Sequence, residues 1–172
     1  MRTPTPADAD DLGRVHVRAW QAAYRGGLMP DEYLDALSES ARATMWRQSL
    51  ENEPRPRPRS SRLVAEADGG AVIGFIVVGP AGTDPDAEIG EVYAINVEPE
   101  HWGTGVGHDL LEAGMAALVV HGYAHAILWV HPDNARACRF YEARGWVDDD
   151  VERRQEVLGV DVAETRYSRR LA

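Results

Sequence analysis

The segment that says most about this chain is Val97-Glu98-Pro99-Glu100-His101-Trp102-Gly103-Thr104-Gly105-Val106-Gly107-His108-Asp109-Leu110-Leu111. The apolar residues before it predict a strand that ends near Val97, and the apolar spacing after it predicts a helix. The glycines therefore lie in a strand-to-helix turn, where unpaired backbone N–H groups meet the positive end of the helix dipole. Such a turn is suited to binding an anion, and phosphate in particular.

The dinucleotide-binding pattern G-x-G-x-x-G does not fit this turn in either register. A start at Gly103 requires Gly or Ala where the chain has His108, and a start at Gly105 requires one where it has Leu110. A turn with a purely structural role is the remaining alternative for an isolated glycine-rich loop. A second signal is needed to choose between this alternative and an anion site.

The rest of the chain predicts one α/β domain over residues 1–172. Helices are expected over about residues 8–24, in one or two segments that begin at Pro30 and extend through residues 33–50, and from Asn134 to Gly145. Strands are expected over residues 63–67, 71–78, 89–97, 126–130, 151–158 and 162–168. The pair Gly69-Gly70 is expected to supply positive φ to the hairpin between the first two strands. Residues 53–61 alternate Pro with Arg, which predicts an extended surface connection.

Composition excludes several classes of function. The 18 Lys+Arg and 28 Asp+Glu give a net charge of −10, which argues against a nucleic-acid partner bound through a basic field. Every basic residue is Arg, so a Schiff-base or phosphate-loop lysine is absent. The single cysteine, Cys138, rules out an internal disulfide and fits a reducing compartment. No apolar run or leader-like start suggests a membrane partner, so a cytoplasmic location is expected.

Two motifs, in this order, resemble those of the GNAT superfamily of N-acetyltransferases. Trp102-Gly103-Thr104-Gly105-Val106-Gly107 is similar to the acyl-CoA-binding motif, except that family members usually carry Arg or Gln where this chain has Trp102. That position acts in the family largely through its backbone N–H. The second motif is Leu128-Trp129-Val130-His131-Pro132-Asp133-Asn134-Ala135-Arg136-Ala137-Cys138-Arg139-Phe140-Tyr141-Glu142-Ala143-Arg144-Gly145-Trp146. The resemblance implies a GNAT fold, in which a mixed, mostly antiparallel sheet is flanked by helices and splayed at the acyl-CoA-binding strand.

The resemblance also implies that acetyl-CoA is the cosubstrate and that its acetyl group passes directly to a primary amine in a ternary complex. The residues that it places at the cofactor are Ile95, Asn96, Val97, Trp102, Gly103, Thr104, Gly105, Val106, Gly107, His108, Asn134, Cys138 and Tyr141. In the family, backbone N–H groups beside a strand bulge bind the oxyanion and the pantetheine arm. By spacing these are the amides of Ile95 and Val97.

Glu91 is the candidate base. It precedes Gly105 by the spacing at which some family members carry a catalytic glutamate, and it could collect the proton of an ammonium whose pKa is ~10.4. This role requires a partly desolvated carboxylate, and the alternative is a strand residue that pairs with Arg or faces water. Strand alternation predicts that Glu91 shares a face with Tyr93 and Ile95.

Tyr141 matches the family's acid, which protonates the departing CoA thiolate. Asn134, Cys138 and Tyr141 stand at i, i+4 and i+7, so they share one helix face, and Phe140 is expected to be the core residue beside Tyr141. Cys138 fits a small buried residue better than a thiol nucleophile, because no activating pattern accompanies it. No metal site is expected, since the pair His121 and His125 has Gly122 between its members.

The acceptor stays open at this point. Small polyamines, aminoglycosides, amino-acid derivatives and protein N-termini are all candidates, and a homodimer is compatible with the sequence. Four aromatic residues are candidates for an acceptor pocket, with core packing as the alternative: Trp20, Tyr24, Tyr33 and Trp46. Two other functions compete with catalysis: a catalytically silent acyl-CoA sensor or regulatory module, and a phosphate-ligand module without thioester chemistry.

Overall fold

The computed structural model describes residues 1–52, 58–82, 88–157 and 160–171. Its described strands form one six-stranded sheet in the order β1-β2-β3-β4-β6-β5, in which β3 and β4 are parallel and the other neighbours antiparallel. The strands are β1 Ser61–Glu66, β2 Val72–Pro80, β3 Gly90–Val97, β4 His125–Val130, β5 Val147–Val157 and β6 Val160–Arg170. The helices are α1 Ala9–Tyr24, α2 Asp31–Asp35, α3 Glu39–Asn52, α4 Val106–Val120 and α5 Ala135–Glu142. The predicted α/β class with a mixed, mostly antiparallel sheet is confirmed.

Helices cover both faces of the sheet, and each face buries its own apolar cluster. On one face, α4 packs Leu111 and Leu118 against Ile76 of β2. On the other, Leu12 of α1 packs with Phe75. Each fully buried side chain of this size contributes roughly 1.5–3 kcal/mol. The two clusters hold β2 and β3 rigidly between helices, so the edge of β3 that faces β4 has a defined position.

Two local expectations need correction. In the hairpin between β1 and β2, Gly70 alone has a positive φ, of 83°, and Gly69 does not. Of the predicted surface connection over 53–61, residues 53–57 lie outside the described residues, as do residues 158–159 of the predicted closing hairpin. The rest of that hairpin is longer than predicted, because β5 begins at Val147 and β6 continues to Arg170.

A bulge in β3 changes which side chains share a face of the sheet. Val92 pairs with Val78 of β2 and Ala94 pairs with Val77, so Tyr93 is an extra residue inserted between two consecutive pairs of that ladder. Val92 and Ile95 consequently both pack in the cluster beneath α4. The predicted common face of Glu91, Tyr93 and Ile95 is therefore wrong for Ile95, since one inserted residue reverses the alternation beyond it.

The parallel strands β3 and β4 separate soon after they meet. Their described pairing covers only Gly90 to Val92 opposite Ala126 to Leu128. The remaining residues of β3 run beside β4 without a ladder, and a wedge opens between the strands. Among the described residues, no helix combines the length and apolar character needed to cross a membrane.

Candidate active site

A cavity of about 250 Å³ occupies the wedge between β3 and β4. Part of its lining, here called the cofactor half, consists of residues that the sequence predicts at the cofactor: Ile95, Asn96, Val97, Trp102, Asn134 and Tyr141. Another part, here called the acceptor half, consists of Trp20, Tyr24, Met29, Trp129, Val162 and Glu164. The cavity thus brings together six of the residues that the sequence assigned to the cofactor, and it joins them to the N-terminal helices and the C-terminal hairpin.

The backbone of β3 presents free N–H groups to the cofactor half. Glu98 donates its N–H to Ile73 of β2, 2.9 Å away, and hydrogen-bonded pairs alternate along an antiparallel ladder. The N–H groups of Ile95 and Val97 therefore face away from β2 and toward the wedge. Because β4 has already separated from β3, no strand among the described residues pairs with these donors. This is the direction in which a bound carbonyl or amide group can pair with them.

The glycine-rich turn has the backbone conformation that an anion site requires. Gly103 and Gly105 have φ of 78° and 101°, and a Cβ at either would meet no heavy atom within 4 Å. Gly105 is the N-cap of α4, where no side chain caps the first amides, including those of Val106 and His108. The expected positive φ is therefore found at two glycines. At Gly107 it is not, and a Cβ there would face Phe140 at 3.5 Å, toward the protein interior.

Trp102 acts through its side chain in this structure. Its indole Nε1 donates to the carbonyl oxygen of Val97 at 2.7 Å, and its own backbone N–H donates to Pro99 within a short 3₁₀ turn. The backbone donor that the family resemblance implied is thus already in use. The guanidinium of Arg136 lies over the indole, 3.2 Å from the ring centroid, so the pair forms one wall of the cofactor half.

Two other polar residues predicted at the cofactor flank the turn. Thr104 is exposed, and its hydroxyl donates to the carbonyl of His101 at 2.8 Å, which braces the loop. His108 is also exposed, and its Nδ1 accepts from Nε of Arg144 at 3.2 Å. The hydrogen bond with His108 places the Arg144 guanidinium beside the first turn of α4. A cation at this position favours the binding of an anionic ligand by the free amides.

Helix α5 brings two of its three predicted residues to the cavity. Asn134 caps the helix, because its side chain accepts a hydrogen bond from the N–H of Ala137 at 3.1 Å. Asn134 and Tyr141 both line the cavity. Cys138 is placed elsewhere, against a second depression with Asp148 and Tyr167. Burial raises the pKa of its thiol, as expected for a small buried residue.

Tyr141 is buried and remains a proton donor at neutral pH. Burial, with smaller contributions from Tyr24 and Cys138, raises the pKa of its phenol. No described residue forms a hydrogen bond with its hydroxyl, which is left for a ligand in the cavity. The expectation that Phe140 is the more buried neighbour is wrong, because Phe140 is half-buried beneath the guanidinium of Arg144.

Glu91 is buried beside the cavity rather than in its lining. Its side chain shares the α1 face of the sheet with Ala94, and Oε2 accepts from the backbone N–H of Gly82 at 3.0 Å. Burial raises its pKa, and the neighbouring carboxylate of Glu164 acts in the same direction, while the Gly82 N–H and Arg153 lower it. The desolvation that a base role requires is therefore present.

Glu164 and Gln155 are polar lining residues that the sequence analysis missed. Both lie on the C-terminal hairpin, Gln155 on β5 and Glu164 on β6, and Glu164 pairs with Arg153 at 2.8 Å. The hairpin carries no motif, and its alternating charges are typical of any exposed strand pair. No local sequence signal distinguishes Glu164 from the other charges, because its burial depends on the packing of α1 and α2 against β6.

Of the four candidate acceptor aromatics, Trp20 and Tyr24 line the cavity. Tyr33 packs in the same apolar cluster as Trp20 and Tyr24 but does not line the cavity. Trp46 packs elsewhere, with its ring edge against Phe75. In the described part of the chain no three His, Cys, Asp or Glu side chains are grouped as a metal site requires. His121, one of the pair considered for a metal, bonds instead with Ser61 through Nε2 at 2.9 Å.

A family model described as "Acetyltransferase (GNAT) family" matches residues 22–146. A Bacillus subtilis protein named "Uncharacterized N-acetyltransferase YuaI" is 30% identical over 136 residues, which cover 79% of this chain and 73% of that protein. Mycothiol acetyltransferase from Kocuria rhizophila is 40% identical over 92 residues. That match covers 52% of this chain but only 30% of the longer enzyme.

The fold is also that of a solved acetyltransferase. The PaiA N-acetyltransferase from Thermoplasma acidophilum, crystallised in complex with coenzyme A, superposes with a TM-score of 0.73 at 22% sequence identity. The superposition covers 98% of this chain and 96% of that one. At this identity the likeness concerns the fold alone.

Proposed function

The chain belongs to the GNAT family of acetyltransferases, and on that premise we propose how its own residues carry out the reaction. It is an acetyl-CoA-dependent N-acetyltransferase whose acceptor is unidentified. We propose that the cofactor half of the cavity receives the acetyl-pantetheine arm and the acceptor half receives a small-molecule amine. A protein N-terminal amine is the alternative acceptor.

One observation carries this assignment of the site. β3 and β4 separate beyond Val92, which leaves the N–H groups of Ile95 and Val97 unpaired along the wedge. In an antiparallel or parallel sheet such donors are ordinarily satisfied by the next strand. The pantetheine arm, an extended chain with two amide groups, can take the place of that strand. The free amides at the start of α4, which follows β3 in the chain, suit the pyrophosphate.

The proposed reaction forms one C–N bond and breaks one C–S bond. The neutral amine attacks the thioester carbonyl, and the N–H of Ile95 stabilises the negative charge that develops on its oxygen. The electron pair of the C–S bond leaves with sulfur, and the Tyr141 hydroxyl protonates the thiolate. The one proton that nitrogen loses passes to Glu91, through water because Glu91 lies behind the cavity lining. Its release to solvent balances the proton that Tyr141 takes up again. The products are the acetamide and free CoA.

The substitution Tyr141→Phe tests this assignment, because it removes only the proton donor. A positioned acid is worth roughly 100-fold or more in rate, so kcat should fall by about that factor, while the dissociation constant of CoA changes by less than about threefold. Steady-state CoA release and calorimetry measure the two quantities. Tyr123→Phe is the matched control, since that buried tyrosine lies in the core beneath α4.

Other outcomes separate the competing functions. An unchanged kcat in Tyr141→Phe removes Tyr141 from the acid role. Tight acetyl-CoA binding without turnover on any amine supports the silent sensor. Equal affinity for ATP and CoA supports a phosphate module, because ATP has no pantetheine arm to contact Ile95 and Val97.

A further inference from the structure

We propose that the acceptor is a monocationic primary amine with an apolar body, and that its ammonium group binds at Glu164. This inference rests on the proposed function, since it assigns the acceptor half of the same cavity. It argues against polyamines, aminoglycosides and free amino acids among the acceptors that the sequence left open.

Glu164 is the only acidic side chain among the described residues that line the cavity. Its carboxylate is largely buried, with 15% of the side chain exposed. Oε2 pairs with Nε of Arg153, and no described residue forms a hydrogen bond with Oε1. One carboxylate oxygen in a partly desolvated site is thus available to an ammonium group.

The walls around Glu164 are apolar and aromatic. Trp20 and Tyr24 have ring centroids 5.2 Å apart, and Met29 and Val162 pack beside them. Tyr24 and Glu164 line the same cavity. Burial raises the pKa of the Tyr24 phenol to about 12, and the negative charge of Glu164 contributes to that rise. Aromatic faces next to a carboxylate suit an ammonium group attached to an apolar body.

The charges at this end of the cavity favour a single positive charge. The guanidinium of Arg153 forms an ion pair with Glu164 and also stacks over the Trp129 ring, 4.0 Å from the ring centroid. Both its charge and its planar face therefore already have partners. Among the described residues of the acceptor half, an acceptor carboxylate thus finds no cation without a partner. A second ammonium of a polyamine or aminoglycoside finds no second carboxylate among the described lining residues, and burying an unpaired charge is unfavourable.

The position of Glu164 also fits the reaction. Tyr24, Tyr141 and Glu164 all line the same cavity. An ammonium bound at Glu164 is thus held in the cavity that also contains the proposed acid. Glu164 is proposed to bind and orient the amine, while Glu91 takes its proton.

A panel of amines tests the acceptor class directly. CoA release from acetyl-CoA by the full chain is measured with 2-phenylethylamine, phenylalanine, spermidine and an aminoglycoside. Phenylalanine differs from 2-phenylethylamine by one carboxylate, and spermidine carries extra ammonium groups. We expect kcat/KM for 2-phenylethylamine to exceed that of each of the others by at least about tenfold.

Two substitutions test the role of Glu164. Glu164→Gln should raise KM for 2-phenylethylamine by about tenfold with a small change in kcat and none in KM for acetyl-CoA. Glu156→Gln, an exposed carboxylate on the same hairpin, is the matched control and should leave all three unchanged. Gln155→Glu adds a second carboxylate to the cavity lining and should raise relative kcat/KM for spermidine, which keeps the inference testable if Glu164→Gln folds poorly.

The outcomes distinguish this inference from the function on which it rests. A preference for spermidine, the aminoglycoside or phenylalanine overturns the acceptor class and leaves the acetyltransferase intact. A loss of kcat without a change in KM in Glu164→Gln makes that residue a base and overturns its binding role. Failure of every amine, although CoA binds, counts against the proposed function itself.

Discussion

Glu91 is a carboxylate whose surroundings make it a better base than an exposed glutamate. Burial disfavours its charged form and raises its pKa, and the backbone N–H of Gly82 limits that rise by binding one oxygen. The Gly82 contact also fixes the orientation of the side chain. Both effects come from neighbours that the spacing between Glu91 and the glycine turn does not reveal.

The pH dependence of the reaction follows from that raised pKa. A base works when deprotonated, so kcat/KM should fall as the pH is lowered through the Glu91 pKa, which lies above the usual value of 4.5. Glu91→Gln should remove this inflection and reduce kcat/KM at pH 7.5 by about 100-fold. Rate profiles from acid to alkaline pH measure both. The exposed Glu88→Gln is the control, and identical profiles for parent and Glu91→Gln would eliminate Glu91 as the base.

At the scale of elements, the turn between β3 and α4 separates two uses of glycine. Gly105 has a left-handed backbone and open space around it, so its lack of a side chain serves conformation. Gly107 has helical geometry, and a Cβ there would make an ordinary contact with Phe140. The sequence pattern alone treats both positions alike, because it carries no φ values.

This difference predicts opposite effects of adding one methyl group. Gly105→Ala should lower the free energy of unfolding by about 1–2 kcal/mol and weaken CoA binding about tenfold, because the left-handed conformation is strained for alanine. Gly107→Ala is its matched control and should be as stable as the parent or slightly more, with CoA affinity retained, because alanine favours a helix. Chemical denaturation and calorimetry test the pair. Equal effects of the two substitutions would contradict the assignment.

At the scale of the whole molecule, stability should depend on buried groups that titrate differently once folded. Burial, with a smaller effect from Arg42, lowers the pKa of His16 to about 4 from its usual 6.5. Its ring lies between Trp20 and Phe75, and Nδ1 has no hydrogen-bond partner among the described residues. The folded state therefore holds this imidazole neutral at a pH where the unfolded chain binds a proton.

The free energy of unfolding should therefore fall in acid, and the substitution His16→Leu should reduce that fall. As the pH falls from 6.5 to about 4, protonation of unfolded His16 should remove about 2–3 kcal/mol of folding free energy. A later loss is expected between 3.8 and about 2, because the Arg2 guanidinium lowers the pKa of Asp8. His16→Leu should flatten the first step in denaturant unfolding measured against pH. The exposed His125→Gln should keep it, and a first step unchanged in His16→Leu would contradict the account.

Local patterns in the sequence were sufficient for the elements and the family. Residues only a few positions apart encode the strand, glycine turn and helix around Gly105. The same is true of the helix that is capped by Asn134 and ends before Gly145. Their order along the chain led to the GNAT resemblance, and with it to Tyr141 and the amides of β3. Hydrophobic periodicity and capping chemistry act over one or two turns, so one sequence is enough to read them.

Tertiary structure alone decided how these elements meet. The bulge at Tyr93 turns the Ile95 side chain to the opposite face of the sheet. The packing of α1 and α2 on β6 brings Tyr24 and Glu164 into one cavity, while Cys138 of α5 lies at a different depression. Each depends on contacts between residues far apart in the chain. A side chain's local neighbours carry no information about such a partner, and burial, ion pairing and register are determined by the partner.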